Sequence, residues 1–127
     1  MNHRDIEYIV CKGPLGAYCT YIKIPEDHPW YTRAVRMTDI GGGRKINTGY
    51  NQIPLAVHGG LTFSAEVTNG QSWEQKFTPG RWIGWDYSHY MDYVPGLPSS
   101  IDGIWHCLEE VTADIIKAIN DMLEVKA

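Results

Sequence analysis

Apolar residues recur at helical spacing in the C-terminal part of the 127-residue chain. Most fall three or four positions apart, as on the buried face of an amphipathic α-helix: Ile104, Leu108, Val111, Ile115, Ala118, Ile119 and Met122. Ser99 and Asp102 resemble a capping pair just before this run. We therefore predict a helix over residues 101–124, whose apolar face must be covered by another part of the fold.

A β-hairpin is predicted near the N-terminus. The β-branched and aromatic residues of segments 6–12 and 17–24, IEYIVCK and AYCTYIKI, favour strands. Between them, Gly13-Pro14-Leu15-Gly16 supplies the residues that turns prefer. Two cysteines, Cys11 and Cys19, would then face each other across the hairpin.

A three-stranded antiparallel meander is predicted between residues 61 and 87. Residues 61–67 alternate between apolar and polar, as in a half-buried strand, and Asn69-Gly70 is a strong signal for a tight hairpin turn. Residues 73–78 would pair back, and Pro79-Gly80 would lead into a third strand over residues 81–87. Together with the hairpin and the helix, this predicts one α+β domain, an antiparallel sheet packed against a long C-terminal helix.

Two further segments are predicted to be short or irregular. Pro29 suits the first position of a helix, with Asp27 or His28 as its cap, which predicts a short helix over residues 29–36. Residues 38–50, TDIGGGRKINTGY, are predicted to form a polar surface loop.

Composition limits the partners and the location of the protein. A formal net charge of −4 disfavours binding to extended nucleic acid, but allows one small anionic ligand in a local pocket. No apolar run reaches the length of a membrane span, about 18–20 residues, and the start of the chain lacks the apolar core of a signal peptide. The three cysteines lack metal-binding spacing and suggest reduced thiols, so we predict a cytoplasmic protein with no membrane partner.

Titratable residues lie at both ends of the predicted meander. His58 precedes it, and Asp86, His89 and Asp92 follow at three-residue spacing. Histidine and carboxylate side chains are common ligands of Zn, Mn and Fe, and common general acids and bases. This spacing matches no established metal signature, so capped turns and backbone hydrogen bonds explain the same residues.

Other residues suggest the binding of a nucleotide-like ligand. Gly59 and Gly60 could offer backbone N–H groups to an anion, and the cations beside the glycine run at residues 41–43 could contact phosphate. Trp82 and Trp85 could stack a base, although packing beneath the helix is the alternative. The predicted ligand-binding residues are His58, Gly59, Gly60, Trp82, Trp85, Asp86, His89, Asp92, Arg44 and Lys45.

Two segments resemble an uncharacterised family of small proteins from bacteriophages and bacteria. They are VHGGLTF, beginning at Val57, and GWDYSHYMD, which holds the family pattern G-[FW]-D-x-x-H-x-x-D. The family's usual Phe is Trp85 here, and the glycines at residues 41–43 depart from its pattern. The resemblance implies a phage context, hence a host-cell cytoplasmic location, and supports the site residues, but it names no reaction.

Three functions are compatible with these features. The first is a counter-defence protein that sequesters a nucleotide second messenger without catalysis, a cofactor or a metal, and that can be a homo-oligomer. The second is a metal-assisted nucleotide or phosphodiester hydrolase that uses His58, Asp86, His89 and Asp92. The third is an inhibitor that binds a host defence protein. Intact ligand, turnover or a stable protein complex would distinguish them.

Overall fold

Five antiparallel strands form the main sheet of the computed structural model, which describes residues 1–68, 77–89 and 91–126. The strands are numbered along the chain: β1 Asn2–His3, β2 Ile6–Lys12, β3 Tyr18–Ile24, β4 Met37–Gly41, β5 Arg44–Asn47, β6 Phe63–Val67 and β7 Gly80–Asp86. The main sheet has the order β1-β2-β3-β7-β6, and β4 pairs with β5 in a separate two-stranded sheet. The helix α1, Leu108–Leu123, completes the predicted α+β fold.

The N-terminal hairpin is confirmed. Strands β2 and β3 pair with Cys11 directly opposite Cys19, and the Gly13 amide donates a 2.8 Å hydrogen bond to the Ala17 carbonyl in the turn. Ile22 and Ile24 alternate with more exposed neighbours, as period-two patterning requires. This alternation directs one face of the hairpin towards α1.

The pairing of β6 differs from the predicted meander. Strand β6 pairs directly with β7, with Phe63 opposite Gly84, so no other strand lies between them. The predicted turn at Asn69-Gly70 and most of the predicted middle strand fall in residues 69–76, outside the described part of the chain. Strand β7 has neighbours on both edges and is buried on both faces, because the side chains of Trp82 and Ile83 point in opposite directions and are both covered.

The C-terminal helix packs as predicted but begins later. Its buried residues are the predicted apolar face from the third position onward: Val111, Ile115, Ala118, Ile119 and Met122. The start at Leu108, rather than at residue 101, leaves Ile104 exposed, and the predicted capping pair at Ser99 and Asp102 is wrong. The cause is a competing backbone interaction, since Ile104 and Asp92 form a parallel β-bridge.

Residues 29–50 contain more strand and less helix than predicted. The short helix is reduced to one 3-10 turn, Thr32–Ala34, and the predicted loop over residues 38–50 is mainly the hairpin of β4 and β5. The three glycines at residues 41–43 all have positive φ and form its turn. Strands β4 and β5 are almost entirely exposed, so they lack the apolar alternation that reveals a strand in sequence. In the described part, no helix is both long and apolar enough to cross a membrane.

We predict that Ile119→Ala lowers the free energy of unfolding by about 2–5 kcal/mol, because it opens a cavity beneath the helix. Ile119 is fully buried, whereas Ile101 is 74% exposed outside α1. The matched variant Ile101→Ala should therefore change stability by no more than about 0.5 kcal/mol. Chemical denaturation followed by circular dichroism measures both. Similar losses would contradict the observed start of the helix.

Candidate functional site

A buried carboxylate, that of Asp92, joins three segments of the chain. Only 4% of its side chain is exposed. It accepts hydrogen bonds from His58 Nε2 at 2.8 Å, from His106 Nε2 at 2.9 Å and from the backbone amide of His89 at 3.0 Å. Burial alone would raise the pKa of Asp92, but these hydrogen bonds outweigh it and hold the pKa below its ordinary value. Asp92 is therefore an anion at neutral pH.

His106 lies between two carboxylates. Its Nε2 is bonded to Asp92, and its Nδ1 lies 2.9 Å from Oε2 of Glu110, in the first turn of α1. Carboxylates accept hydrogen bonds, so the protonated imidazolium, with a proton on each nitrogen, satisfies both contacts. The result is a continuous chain of four side chains from exposed Glu110 through His106 and Asp92 to His58.

The His58 ring rests on Tyr87. The two rings stack with centroids 4.8 Å apart and planes inclined by 11°. The Tyr87 hydroxyl donates a 2.7 Å hydrogen bond to Asp114 of α1 and accepts one from the indole N–H of Trp85. Burial raises the pKa of Tyr87 above its ordinary value, and the Asp114 carboxylate adds to the shift, so the hydroxyl remains a neutral donor. Tyr87 thus links the orientation of His58 to the sheet and the helix.

His89 and Asp86 form a second, looser pair beside this cluster. Nε2 of His89 lies 3.3 Å from Oδ1 of Asp86, within ion-pair range, but the alignment does not make a hydrogen bond. The same oxygen accepts hydrogen bonds from the amide and the hydroxyl of Ser88. Gly59 packs on the His89 ring so closely that a Cβ atom there would overlap it. Among the described residues, Nε2 of His89 is a buried polar atom without a hydrogen-bond partner.

A loop holds Asp92 and His106 together. The Ile104 amide donates to the Met91 carbonyl at 2.8 Å, and the Tyr93 amide donates to the Ile104 carbonyl at 2.9 Å. Gly103 makes this pairing feasible, because a Cβ atom there would overlap the backbone of Asp92. His106 follows Ile104 by two residues. The pairing of Ile104 with residues 91–93 therefore brings His106 to Asp92, although His106 was not among the predicted site residues.

The structure brings five of the ten predicted site residues together and places the other five outside this cluster. His58, Asp86, His89 and Asp92 converge, and Gly59 contacts His89, whereas Gly60 is exposed with open space where a side chain would lie. Both predicted stacking residues, Trp82 and Trp85, are 1% exposed, so protein atoms cover their rings. The predicted cations, Arg44 and Lys45, are exposed on β5 of the separate sheet.

His106 was not predicted as a site residue. Its separation from Glu110 by four positions is a local signal, since such pairs are adjacent at the start of a helix. The predicted helix over residues 101–124 already placed His106 and Glu110 one turn apart, but such pairs are common on helix surfaces and do not by themselves indicate a site. Only the bridge between Asp92 and Ile104 reveals its partner.

Two cavities flank the cluster. One of about 400 Å³ is bordered by His58, Trp85, Asp114 and Lys117. The other, of about 450 Å³, is bordered by His89 and Asp92 together with Ser88, Ser100 and Asp102. These volumes fall within the range of small-molecule sites. His58 and His89 therefore each border a space that a small ligand could enter.

The cluster can also hold a metal ion. His58, Asp92 and His106 each offer one ligand atom, and these atoms lie within 4.8 Å of one another. Two histidines and one carboxylate form a ligand set used by zinc and iron.

Comparison with protein-family models, curated proteins and solved structures gave no match, so the phage-family resemblance stays a prediction.

We predict that Gly59→Ala destabilises the protein more than Gly60→Ala does. Both glycines have positive φ, so alanine strains the backbone at each, but only residue 59 would also collide with the His89 ring. The loss at Gly60 should be about 1–2 kcal/mol, and the loss at Gly59 larger. Thermal unfolding measures the stability of both variants. Equal losses of stability would show that the close contact between residue 59 and the His89 ring does not affect stability.

Asp92→Asn should flatten the dependence of stability on pH in acid. Because the pKa of Asp92 is lower in the folded state, its contribution is complete above the unfolded value of about 4 and disappears as the pH falls through the folded value. At pH 7, the free energy of unfolding of the variant should be lower than that of the wild type by about 1–3 kcal/mol. Below about pH 4, the free energy of unfolding of the variant should change less with pH than that of the wild type. Urea denaturation of both proteins at a series of pH values measures this dependence. If the free energy of unfolding changes with pH in the same way for wild type and variant, the prediction is wrong.

Proposed function

We propose that this protein is a metal-dependent hydrolase in which His58, Asp92 and His106 hold a divalent transition-metal ion. The observation that carries the proposal is the buried Asp92 carboxylate between two histidines, with the three ligand atoms within 4.8 Å. Catalytic zinc sites use three protein ligands and leave a fourth position for water or substrate. A three-ligand set beside cavities of several hundred Å³ fits that requirement.

The surroundings of the ligands support the same proposal. Metal-binding histidines commonly direct their second nitrogen to a carboxylate, and His106 does this through Glu110. Asp92 is oriented by the amide of His89, and the His58 ring is oriented by Tyr87. These contacts fix the direction of each ligand before a metal arrives.

A bound metal would supply a nucleophile at neutral pH by lowering the pKa of its water, and would polarise the bond to be cleaved. The histidines and Asp92 would hold the metal through their nitrogen and oxygen atoms. His89 borders the cavity next to Asp92, where its ring can contact a substrate. Asp86, 3.3 Å from Nε2 of His89, would position that ring.

Nucleotide sequestration, the first of the sequence-based functions, has less support from the geometry. The rings of Trp82 and Trp85 are covered, and Arg44 and Lys45 lie on a different sheet from the histidines. A nucleotide or phosphodiester substrate for the hydrolase stays a prediction, with Lys117 the cation beside the cavity at His58. The counter-defence role and the protein-binding inhibitor rest on the resemblance and on analogy.

We predict that the metal-free protein binds one Co²⁺ or Zn²⁺ ion, and that His106→Ala weakens binding by more than Glu110→Gln does. Removing an outer carboxylate typically lowers metal affinity by about 10–100-fold, and removing a ligand should lower it further. Isothermal titration calorimetry measures the affinities, and the visible spectrum of Co²⁺ reports its coordination. His3→Ala is the matched control, because His3 contacts Asn120 instead of the cluster.

The same preparations are then incubated with nucleotides and phosphodiesters, and the products are identified by mass spectrometry. Turnover that requires metal and is lost in His106→Ala but not in His3→Ala would support the hydrolase. Equal metal binding by wild type and His106→Ala would refute the proposed site. Tight binding of intact nucleotide by the metal-free protein would instead favour sequestration.

A further inference from the structure

Two cysteines face each other across the N-terminal hairpin. Cys11 of β2 is directly opposite Cys19 of β3 in an antiparallel pair, so their side chains lie on the same face of the sheet. The Gly13 amide donates to the Ala17 carbonyl, and hydrogen-bonded pairs recur at every second position. Cys11 and Cys19 therefore occupy a hydrogen-bonded pair, whose Cα atoms are about 5.5 Å apart. This separation lies within the range that disulfides span.

The pair lies in a partly shielded position. Both thiols are reduced and half-buried, whereas Cys107 is exposed. Gly13 lies over Cys19, and a Cβ atom added there would be 3.1 Å from its Sγ. Burial raises the pKa of the Cys19 thiol, and the proximity of Cys11 and Asp86 raises it further. The Cys19 thiol is thus mostly protonated at neutral pH and protected from bulky reagents.

We propose that Cys11 and Cys19 form an oxidation site that a small hydroperoxide converts into an intramolecular disulfide. One thiol attacks the peroxide, becomes a sulfenic acid and releases water or an alcohol. The other thiol attacks that sulfur, the S–O bond breaks, the S–S bond forms, and the second proton leaves with the oxygen as water. The dithiol loses two electrons and two protons, and the peroxide accepts them.

This oxidation site adjoins the histidine cluster through the sheet. Cys19 is paired on its other side with Asp86 of β7, whose carboxylate lies 3.3 Å from His89. The disulfide would cross-link β2 to β3, the strand that pairs with Asp86 of β7. The site does not depend on the proposed hydrolase, since it is defined by strand register alone.

The test is oxidation of the full-length protein with hydrogen peroxide, followed by alkylation of free thiols and mass spectrometry without reduction. Trypsin cleaves after Lys12 and Lys23, so Cys11 and Cys19 fall in separate peptides, and the disulfide joins them. We expect this linked pair, a mass loss of two hydrogen atoms, and recovery of all thiols on adding dithiothreitol. The rate should rise with pH, because a larger fraction of Cys19 becomes thiolate.

Cys107→Ala provides the matched control, since it removes the exposed thiol and should leave the linked peptides unchanged. Cys19→Ala in that background should produce sulfenic or higher acids on Cys11 and no linked pair. The proposal is overturned if peroxide adds oxygen to Cys11 and Cys19 separately without joining them. It is also overturned if the products are only dimers linked through Cys107 in the wild type.

Discussion

The burial of one negative charge organises the candidate site. A carboxylate removed from water loses its hydration, and the loss is tolerated only where donors replace it. Asp92 obtains three donors from His58, His89 and His106, which belong to three different segments. Removing any one of them leaves part of a buried charge unsatisfied, so the positions of these segments depend on one another.

This mutual dependence is visible in the backbone as well as in the side chains. Gly59 and Gly103 both lie where a Cβ atom would overlap a neighbour, the ring of His89 in one case and the backbone of Asp92 in the other. Met91 adopts a left-handed conformation with φ of 74°, which is costly for a residue with a side chain. Its carbonyl accepts the Ile104 amide, so the strained residue stands at the junction of the two segments. The costly conformation of Met91 is therefore found directly beside Asp92, where the two segments pair.

Sequence patterns predicted the parts of the fold in which side-chain burial repeats regularly. The hairpin of β2 and β3 and the buried face of α1 follow periods of two and 3.6 residues, and both were predicted. The exposed hairpin of β4 and β5 has no buried face, so its residues resemble a loop. The start of α1 depended on a bridge between Asp92 and Ile104, distant in sequence, which no local pattern encodes.

The candidate site was predictable to the extent that its residues are close in sequence. Asp86, His89 and Asp92 share one short segment, and His58 was included because it precedes the same group of strands. His106 was missed for the same reason that the helix start was wrong, since both depend on how residues 91–106 fold back. The burial of Trp82 and Trp85 reflects coverage of both faces of β7, which the strand's own alternation could not reveal.

The hydrogen-bonded cluster and the proposed metal-bound cluster satisfy the same buried charge in two ways. Without a metal, N–H groups on the two histidines donate hydrogen bonds to Asp92, and these contacts compensate for the burial of the carboxylate. With a metal, the nitrogens that face Asp92 must release those protons, so protons and metal compete for the same atoms. The other nitrogen of His106 contacts Glu110 in the metal-free protein and would be free to keep that hydrogen bond with a metal bound. The site can therefore be preformed in the metal-free protein, and metal binding requires an exchange of protons and small shifts of ligands that are already oriented.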